Sequence, residues 1–394
     1  MASVNEMGFN QVSATLNAIQ QQVTGQTNIT PITNTQDFIS VAQVTLKSGY
    51  DPVLNAISQM VSKTIFATRP YSRKFRGIFV DNAAYGGHVR KINYIDQPAV
   101  DDDAYSLADA SKPDMYEVRK PKVVQTNFYG YNTYSDFVTR FREQLQVAFS
   151  GPEQLGEFFA NLMTEWSNKH EQFHETMART AILNFIGGKL AGDTSNVIHL
   201  LTEYKAFTGD DTLTAQTIYR PANYKAFVQW MYSRIATITD MMTERSSKFH
   251  TNLDGGRTFM RHSPLRDQRV YLYSPTRYQT EMMAIADVYH DNFLKLSENE
   301  TVNFWQSIST PDTIKITPTY LKATGVVGAH ASAINQANVI GVIFDREAIG
   351  ISTYAEEMSV TPYNSRGRYW NIWSSFTDRY WNDFTENGVV LLLD

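Results

Sequence analysis

Five consecutive residues, His170-Glu171-Gln172-Phe173-His174, satisfy the pattern H-E-x-x-H. On a helix, imidazoles four residues apart project from one face and can hold Zn²⁺, with Glu171 as the general base of a hydrolase. A catalytic zinc also needs a third protein ligand. The H-x-x-G-x-x-H continuation is missing, because Glu175-Thr176-Met177-Ala178-Arg179 follows. Glu203 lies downstream at a spacing zinc peptidases use, but in a stretch with no helical pattern to present it. Glu175 places a charge where an active-site helix usually continues apolar. The plainer reading is preferred: His170 and His174 lie beside the stripe of a long amphipathic helix, with Glu171 and Glu175 in solvent. No catalytic, cofactor-binding or metal-ligating residue is assigned, and a zinc-dependent hydrolase stands as the alternative.

Other chemistries are closed off by composition and missing motifs. The 394 residues include no cysteine, which excludes disulfides, thiolate metal sites and a cysteine nucleophile. G-x-x-x-x-G-K-[ST], G-x-G-x-x-G and G-x-S-x-G are all missing. Gly325-Val326-Val327-Gly328 reads as a tight turn. Asp101-Asp102-Asp103 reads as a solvated loop tip, since a hard-cation site needs converging oxygens and not merely adjacent ones. Arg119-Lys120-Pro121-Lys122 could touch nucleic acid, but with acid nearby a charge-paired contact with a neighbouring subunit is favoured. The aromatic run from Tyr363 to Trp381 could stack bases, yet carries only Arg366, Arg368 and Arg379, so it reads as packing. Lys and Arg total 35 against 40 Asp and Glu, a formal charge of −5 that argues against gripping phosphates. The N-terminus lacks a signal-peptide pattern, and no apolar run approaches the ~20 residues a membrane span needs. A soluble protein made in a cytoplasm is expected, with no membrane partner and no cofactor.

The elements that must position these residues follow from periodicity. Leu16, Ile19 and Val23 mark one short helix from Val12 to Val23, and Gly25 to Thr35 reads as an extended arm needing a partner surface. A second helix starts at Asp51-Pro52, with Val53, Leu54, Ile57, Met60, Val61 and Ile65 as its stripe. Residues 70–125 hold strand-like runs at Ile78–Val80, Val89–Ile92 and Val123–Val124, with turns at Asp81-Asn82 and Gly86-Gly87. Few of these residues could form a core, so a long two-stranded excursion is expected, lying on something else. The strongest helix runs from Pro152 to Ile186, roughly 50 Å, and Gly187-Gly188 is expected to close it. Its stripe contains Leu155, Phe158, Phe159, Leu162, Met163, Trp166, Phe173, Met177, Ala181, Ile182 and Phe185. His199 to Ala215 reads as loop. Pro221 opens a helix with Phe227, Met231, Ile235 and Ile238. An α/β alternation follows: strand Val270–Tyr273, helix Tyr278–Tyr289, strand Ile314–Thr317 and apolar strand Val339–Phe344. Ala355 to Asp394 reads as β, and Val389–Leu393 as a buried terminal strand.

This order resembles the major capsid proteins of tailed bacteriophages, the Hong Kong 97 fold. Two stretches sharpen the resemblance. Val342-Ile343-Phe344-Asp345-Arg346-Glu347-Ala348-Ile349 is similar to the segment where that fold returns from its axial domain. Tyr363-Asn364-Ser365-Arg366-Gly367-Arg368-Tyr369-Trp370-Asn371 resembles the Asn-x-Arg-Gly-x-Tyr-Trp-Asn run of small podovirus capsid proteins. The resemblance implies an α+β fold in five parts. These are an N-terminal arm with helices (1–68), an extended β loop (69–126), a peripheral domain with a spine helix at about 152–186 (127–222), an axial domain (223–345) and a return to the peripheral domain (346–394). It further implies a structural protein of the virion that self-assembles as hexamers and pentamers into an icosahedral head enclosing double-stranded DNA. Implied partners are other copies, a separate scaffolding protein and the portal; a cellular nanocompartment shell shares the fold and is a further alternative. The Lys, Asn and Glu trio that crosslinks some relatives is not assigned.

Overall fold

A computed structural model describes residues 9–25, 32–63, 72–80, 89–95, 97, 105–112, 115, 116, 118–255, 257–278 and 299–394. In chain order the helices are α1 (Phe9–Thr24), α2 (Thr35–Lys47), α3 (Tyr50–Lys63), α4 (Arg142–Ala148), α5 (Pro152–Gly192), α6 (Leu200–Thr208) and α7 (Pro221–Met241). The strands are β1 (Val89–Ile95), β2 (Lys122–Phe128), β3 (Tyr131–Phe141), β4 (Val197–His199), β5 (Gln268–Tyr273), β6 (Asn299–Val302), β7 (Ile314–Ile316), β8 (Thr319–Leu321), β9 (Val327–Ala329), β10 (Ile334–Gln336), β11 (Val339–Asp345), β12 (Ile349–Val360), β13 (Tyr369–Asn382) and β14 (Gly388–Leu392). Expectations on Ile65, Asp81-Asn82, Gly86-Gly87, Asp101–Asp103 and the helix past Tyr278 lie outside the described residues, as do the side chains of Met60, Val61 and Met163.

A five-stranded mixed sheet, ordered β4-β14-β11-β5-β6, forms the middle of a three-layer sandwich. Its central strands read as unbroken apolar runs because both faces are covered. On one face Val342, Phe344, Val390 and Leu392 meet Ile182, Phe185 and Ile186 of α5. On the other, Ile340, Ile343, Val389 and Leu391 meet Leu200 and Tyr204 of α6 and Phe227, Met231 and Ile235 of α7. Residues 199–215 are thus not all loop: α6 closes with Gly209 in the left-handed region, φ 70°.

The second sheet, β12-β13-β3, is antiparallel throughout. Trp370 and Ile372 of β13 share a core with Leu155, Phe159 and Leu162 of α5 and with the N-terminal helices. Most of the expected arm, Gly25–Thr35, lies outside the described residues, and the helices on either side of it join this core. Val12, Leu16 and Ile19 of α1, Phe38, Val41 and Ala42 of α2, and Val53, Leu54 and Ile57 of α3 are all buried. α2 was unexpected, yet Asn34 caps it by accepting the Asp37 N–H at 2.9 Å, and Thr33 Oγ1 donates back to Asp37 Oδ2 at 2.8 Å. Asp51 lies inside α3, and its Oδ1 accepts from Trp370 Nε1.

α5 has 41 residues and is about 60 Å long. It passes through Gly187-Gly188, where a stop was expected. A Cβ on Gly187 would lie 2.8 Å from Ile316 Cγ2, and one on Gly188 or Gly192 would overlap Phe384 or Tyr320. These glycines let β7, β8 and the Phe384 ring press against the helix backbone, so they mark close approach and not an end.

Candidate functional site

The expected two-stranded excursion is present as the antiparallel pair β1 and β2. Alternation gives it two unlike faces. Inward, Ile95 packs with Leu253 and Phe259. Also inward, Lys91 Nζ reaches Glu386 Oε1 at 2.5 Å, Glu347 Oε2 at 3.0 Å and Asp383 Oδ2 at 3.2 Å. Those three carboxylates outweigh the burial that opposes its charge, and its pKa rises above the ordinary lysine value. Outward, Ile92 and the cross-strand pair Tyr94 and Val123 are exposed, Tyr94 by 73%. Tyr116 and Val118, shortly before β2 in the chain, are exposed by 79% and 78%. Arg119, Lys120 and Lys122, which follow them, are exposed as well. Exposed apolar side chains on one strand face, with charged residues next to them in sequence, are what a protein interface presents.

The H-E-x-x-H stretch sits on α5 as expected, but not in solvent. Glu171 and His174 are each 2% exposed and Glu175 8%. Arg73 donates its backbone N–H to Glu171 Oε2 at 3.0 Å, and its guanidinium Nη1 lies 2.6 Å from His174 Nδ1. His174 Nε2 is 3.2 Å from Asp378 Oδ2 of β13. With Nδ1 accepting from Arg73, the proton of a neutral ring is on Nε2. Burial pushes the Asp378 carboxyl above the usual carboxylate range, against the pull of a Thr353 hydrogen bond and of Arg73. Glu175 accepts from Arg179 Nη2 at 2.7 Å. His170 stacks on Trp166 with ring centroids 5.1 Å apart. A guanidinium 2.6 Å from His174 Nδ1 repels a dication at that nitrogen, so the geometry lends a zinc site no support. Glu203, the candidate third ligand, is on α6 and forms a two-point pair with Arg234 of α7 at 2.6 and 3.0 Å. Among the described residues no group of three or more His, Asp and Glu could hold a metal ion. Sequence reasoning missed the burial because Arg73 lies 98 residues upstream of Glu171.

The remaining motifs have structural jobs. Gly325, at φ 87°, turns the chain between β8 and β9. In the 363–371 run, Asn364 Oδ1 accepts the Gly367 N–H at 3.0 Å and Asn364 O accepts the Arg368 N–H at 2.7 Å. That closes the turn from β12 into β13, where a Cβ on Gly367 would overlap the Tyr369 ring. Tyr363 and Trp370 pack with ring centroids 4.5 Å apart, in line with the packing role expected for this aromatic segment.

Solved structures of similar fold come from phage particles. One is the capsid of Staphylococcus phage Andhra, with TM-score 0.55, 11% identity, and 84% of this chain and 87% of that chain covered. Another comes from the structure of the head fiber and inner core protein gp22 of native bacteriophage P68, with TM-score 0.52, 10% identity, and 84% and 87% coverage. The fold is therefore the α+β phage capsid fold that the resemblance implied. No curated protein matches in sequence. The sequence profile of the Phi29-like phage major capsid protein family matches residues 16–392, and the chain belongs to that family. It is a structural protein that assembles into the virion capsid, not an enzyme. Neither the hydrolase nor the nanocompartment alternative is supported. Among the described residues no helix is long and apolar enough to cross a membrane.

Proposed function

We propose that this chain builds an icosahedral head as hexamers and pentamers around double-stranded DNA, with the outward face of β1–β2 seated on a neighbouring copy. The observation that carries the reading is the exposed apolar face of Ile92, Tyr94 and Val123 on an otherwise anchored strand pair, with Tyr116 and Val118 also exposed ahead of β2. Heterologous contacts of this kind close into rings when the rotation permits. The basic residues 119–122 pair with acidic residues of the neighbour across the rim. A net charge of −5 suits a wall that encloses DNA without gripping it. In functional terms the chain divides into arm and helices (1–68), extended loop (69–126), peripheral (127–222), axial (223–345) and returning peripheral (346–394) parts. A scaffolding protein and the portal are its further partners, as in the wider family.

The test is coexpression with the scaffolding protein followed by negative-stain microscopy. Wild type is expected to yield closed particles, and a Tyr94→Ser, Val123→Ser, Tyr116→Ser variant only unassembled subunits. Particles of wild-type yield from that variant overturn the reading.

A further inference from the structure

The segment that leads into the excursion is held in an unusual way. Three consecutive backbone N–H groups are each received by a different carboxylate, two of them buried (Glu171 and Glu175) and one half-buried (Glu300). The N–H of Arg73 goes to Glu171 Oε2 at 3.0 Å, that of Lys74 to Glu175 Oε2 at 3.4 Å, and that of Phe75 to Glu300 Oε1. Glu171 and Glu175 are four residues apart on α5, one turn along the same face, while Glu300 comes from β6. Hydrogen bonds to an ionised acceptor are about twice as strong as neutral ones, so three in sequence hold this backbone firmly.

Side chains complete the fixation. The Arg73 guanidinium lies 4.0 Å from the centre of the Phe79 ring, which stacks on His174 at 5.4 Å. Phe75 is fully buried yet adopts φ 61°, a conformation costly for a bulky residue. Arg179 covers its ring at 5.0 Å while bonded to Glu175. Five residues on, the Val80 N–H joins Ile351 O of β12 at 2.9 Å. A strained turn that persists must be over-determined by its surroundings, and here the carboxylates supply that determination.

We propose that Glu171, Glu175 and Glu300 form a carboxylate seat for residues 73–75 and thereby set the direction in which the β1–β2 excursion leaves the subunit in the shell. The H-E-x-x-H-E stretch then acts as a positioning device in assembly. Shell curvature depends on the angle at which each tile reaches its neighbour, so a loosened seat widens the range of angles and of particle sizes. This rests on the reading that the excursion engages a neighbouring copy.

The experiment uses the full chain carrying Glu171→Gln with Glu175→Gln, each single variant, and Glu300→Gln. Glutamine keeps the shape and one acceptor oxygen but removes the charge. In unassembled subunits, hydrogen exchange at the Arg73 and Lys74 amides is expected to speed up at least tenfold in the double variant, with α7 and β11 unchanged. When coexpressed with scaffolding protein, the same variant is expected to give closed particles of mixed diameter, where wild type gives one. Unchanged exchange at residues 73–75 overturns the seat. Faster exchange with a single wild-type diameter overturns its role in direction. If the double variant does not fold, the single variants and Glu300→Gln carry the same two readouts. The Tyr94→Ser, Val123→Ser, Tyr116→Ser variant separates the two ideas: if it assembles normally the interface reading fails, whatever the amides of residues 73–75 do.

Discussion

Two antiparallel β regions of this chain contain similar residues and have opposite fates. In β5, β11 and β14 almost every side chain is buried, sealed between α5 on one face and α6 and α7 on the other. In β1 and β2 only the inward positions are covered, and Ile92, Tyr94 and Val123 face solvent. The first region is finished within one chain. On the function proposed above, the second is finished when another copy arrives, so its apolar residues should contribute little to the folding of the lone subunit and much to association.

The strongest way to break this comparison is a matched pair of truncations. Phe344→Ala in β11 is expected to cost about 3–5 kcal/mol. Tyr94→Ala in β1 should stay within about 0.5 kcal/mol in unassembled subunits while reducing particle yield. Denaturant unfolding and particle counts check both, and equal losses of stability would erase the distinction. Next is the clasp between the two regions. Lys91→Met leaves Asp383 and Glu386 buried without their ammonium, at about 2–4 kcal/mol, with β1 amides exchanging faster. Adding Glu386→Gln should return part of that loss.

A smaller effect tests the close approach along α5. Replacing a mid-helix glycine by alanine ordinarily gains up to ~1 kcal/mol. Gly188→Ala should instead lose about 1–3 kcal/mol, because the methyl meets the Phe384 ring stacked on Phe185. A gain in melting temperature would show that the ring yields.

The smallest effect is one of pH. Burial holds the His250 pKa below its ordinary value, despite hydrogen bonds with Asn387 and Phe259, with Lys189 and Arg261 acting in the same direction as burial. Below about pH 6.5 the unfolded chain binds a proton there that the folded chain refuses. The stability this site contributes is present above that pH and is lost as pH falls. Asp378, Glu300 and Glu386, all raised chiefly by burial, act with the opposite sign. The difference between wild type and His250→Gln isolates the histidine, and it should shrink from pH 7.5 to pH 5.5. A pH-independent difference would refute this.

Much of the fold was legible because the signals were local. The stripe from Leu155 to Phe185, Pro221 ahead of Phe227 and Met231, and the apolar run Val339–Phe344 each report burial by period alone. α2 carried signals too, Asn34 before Asp37 and then Phe38, Val41, Ala42 and Thr45, but polar neighbours masked them. The excursion was visible as strands without a core; its two faces were not, because nothing near Lys91 in sequence announces Asp383 and Glu386.

By itself the sequence determined most of the elements, though not α2 or α6, together with the exclusion of thiol chemistry, since helical and strand periods, turn residues and composition are properties of neighbouring residues. Only the tertiary structure decided what the charged residues do. Glu171 and Glu175 look solvated on a helical wheel, yet are buried against Arg73 and Lys74, and Gly187-Gly188 looks like a stop yet admits Ile316 and Phe384. The reason is physical: burial of a polar group is permitted by a partner, and the partners here lie about a hundred residues or more away along the chain.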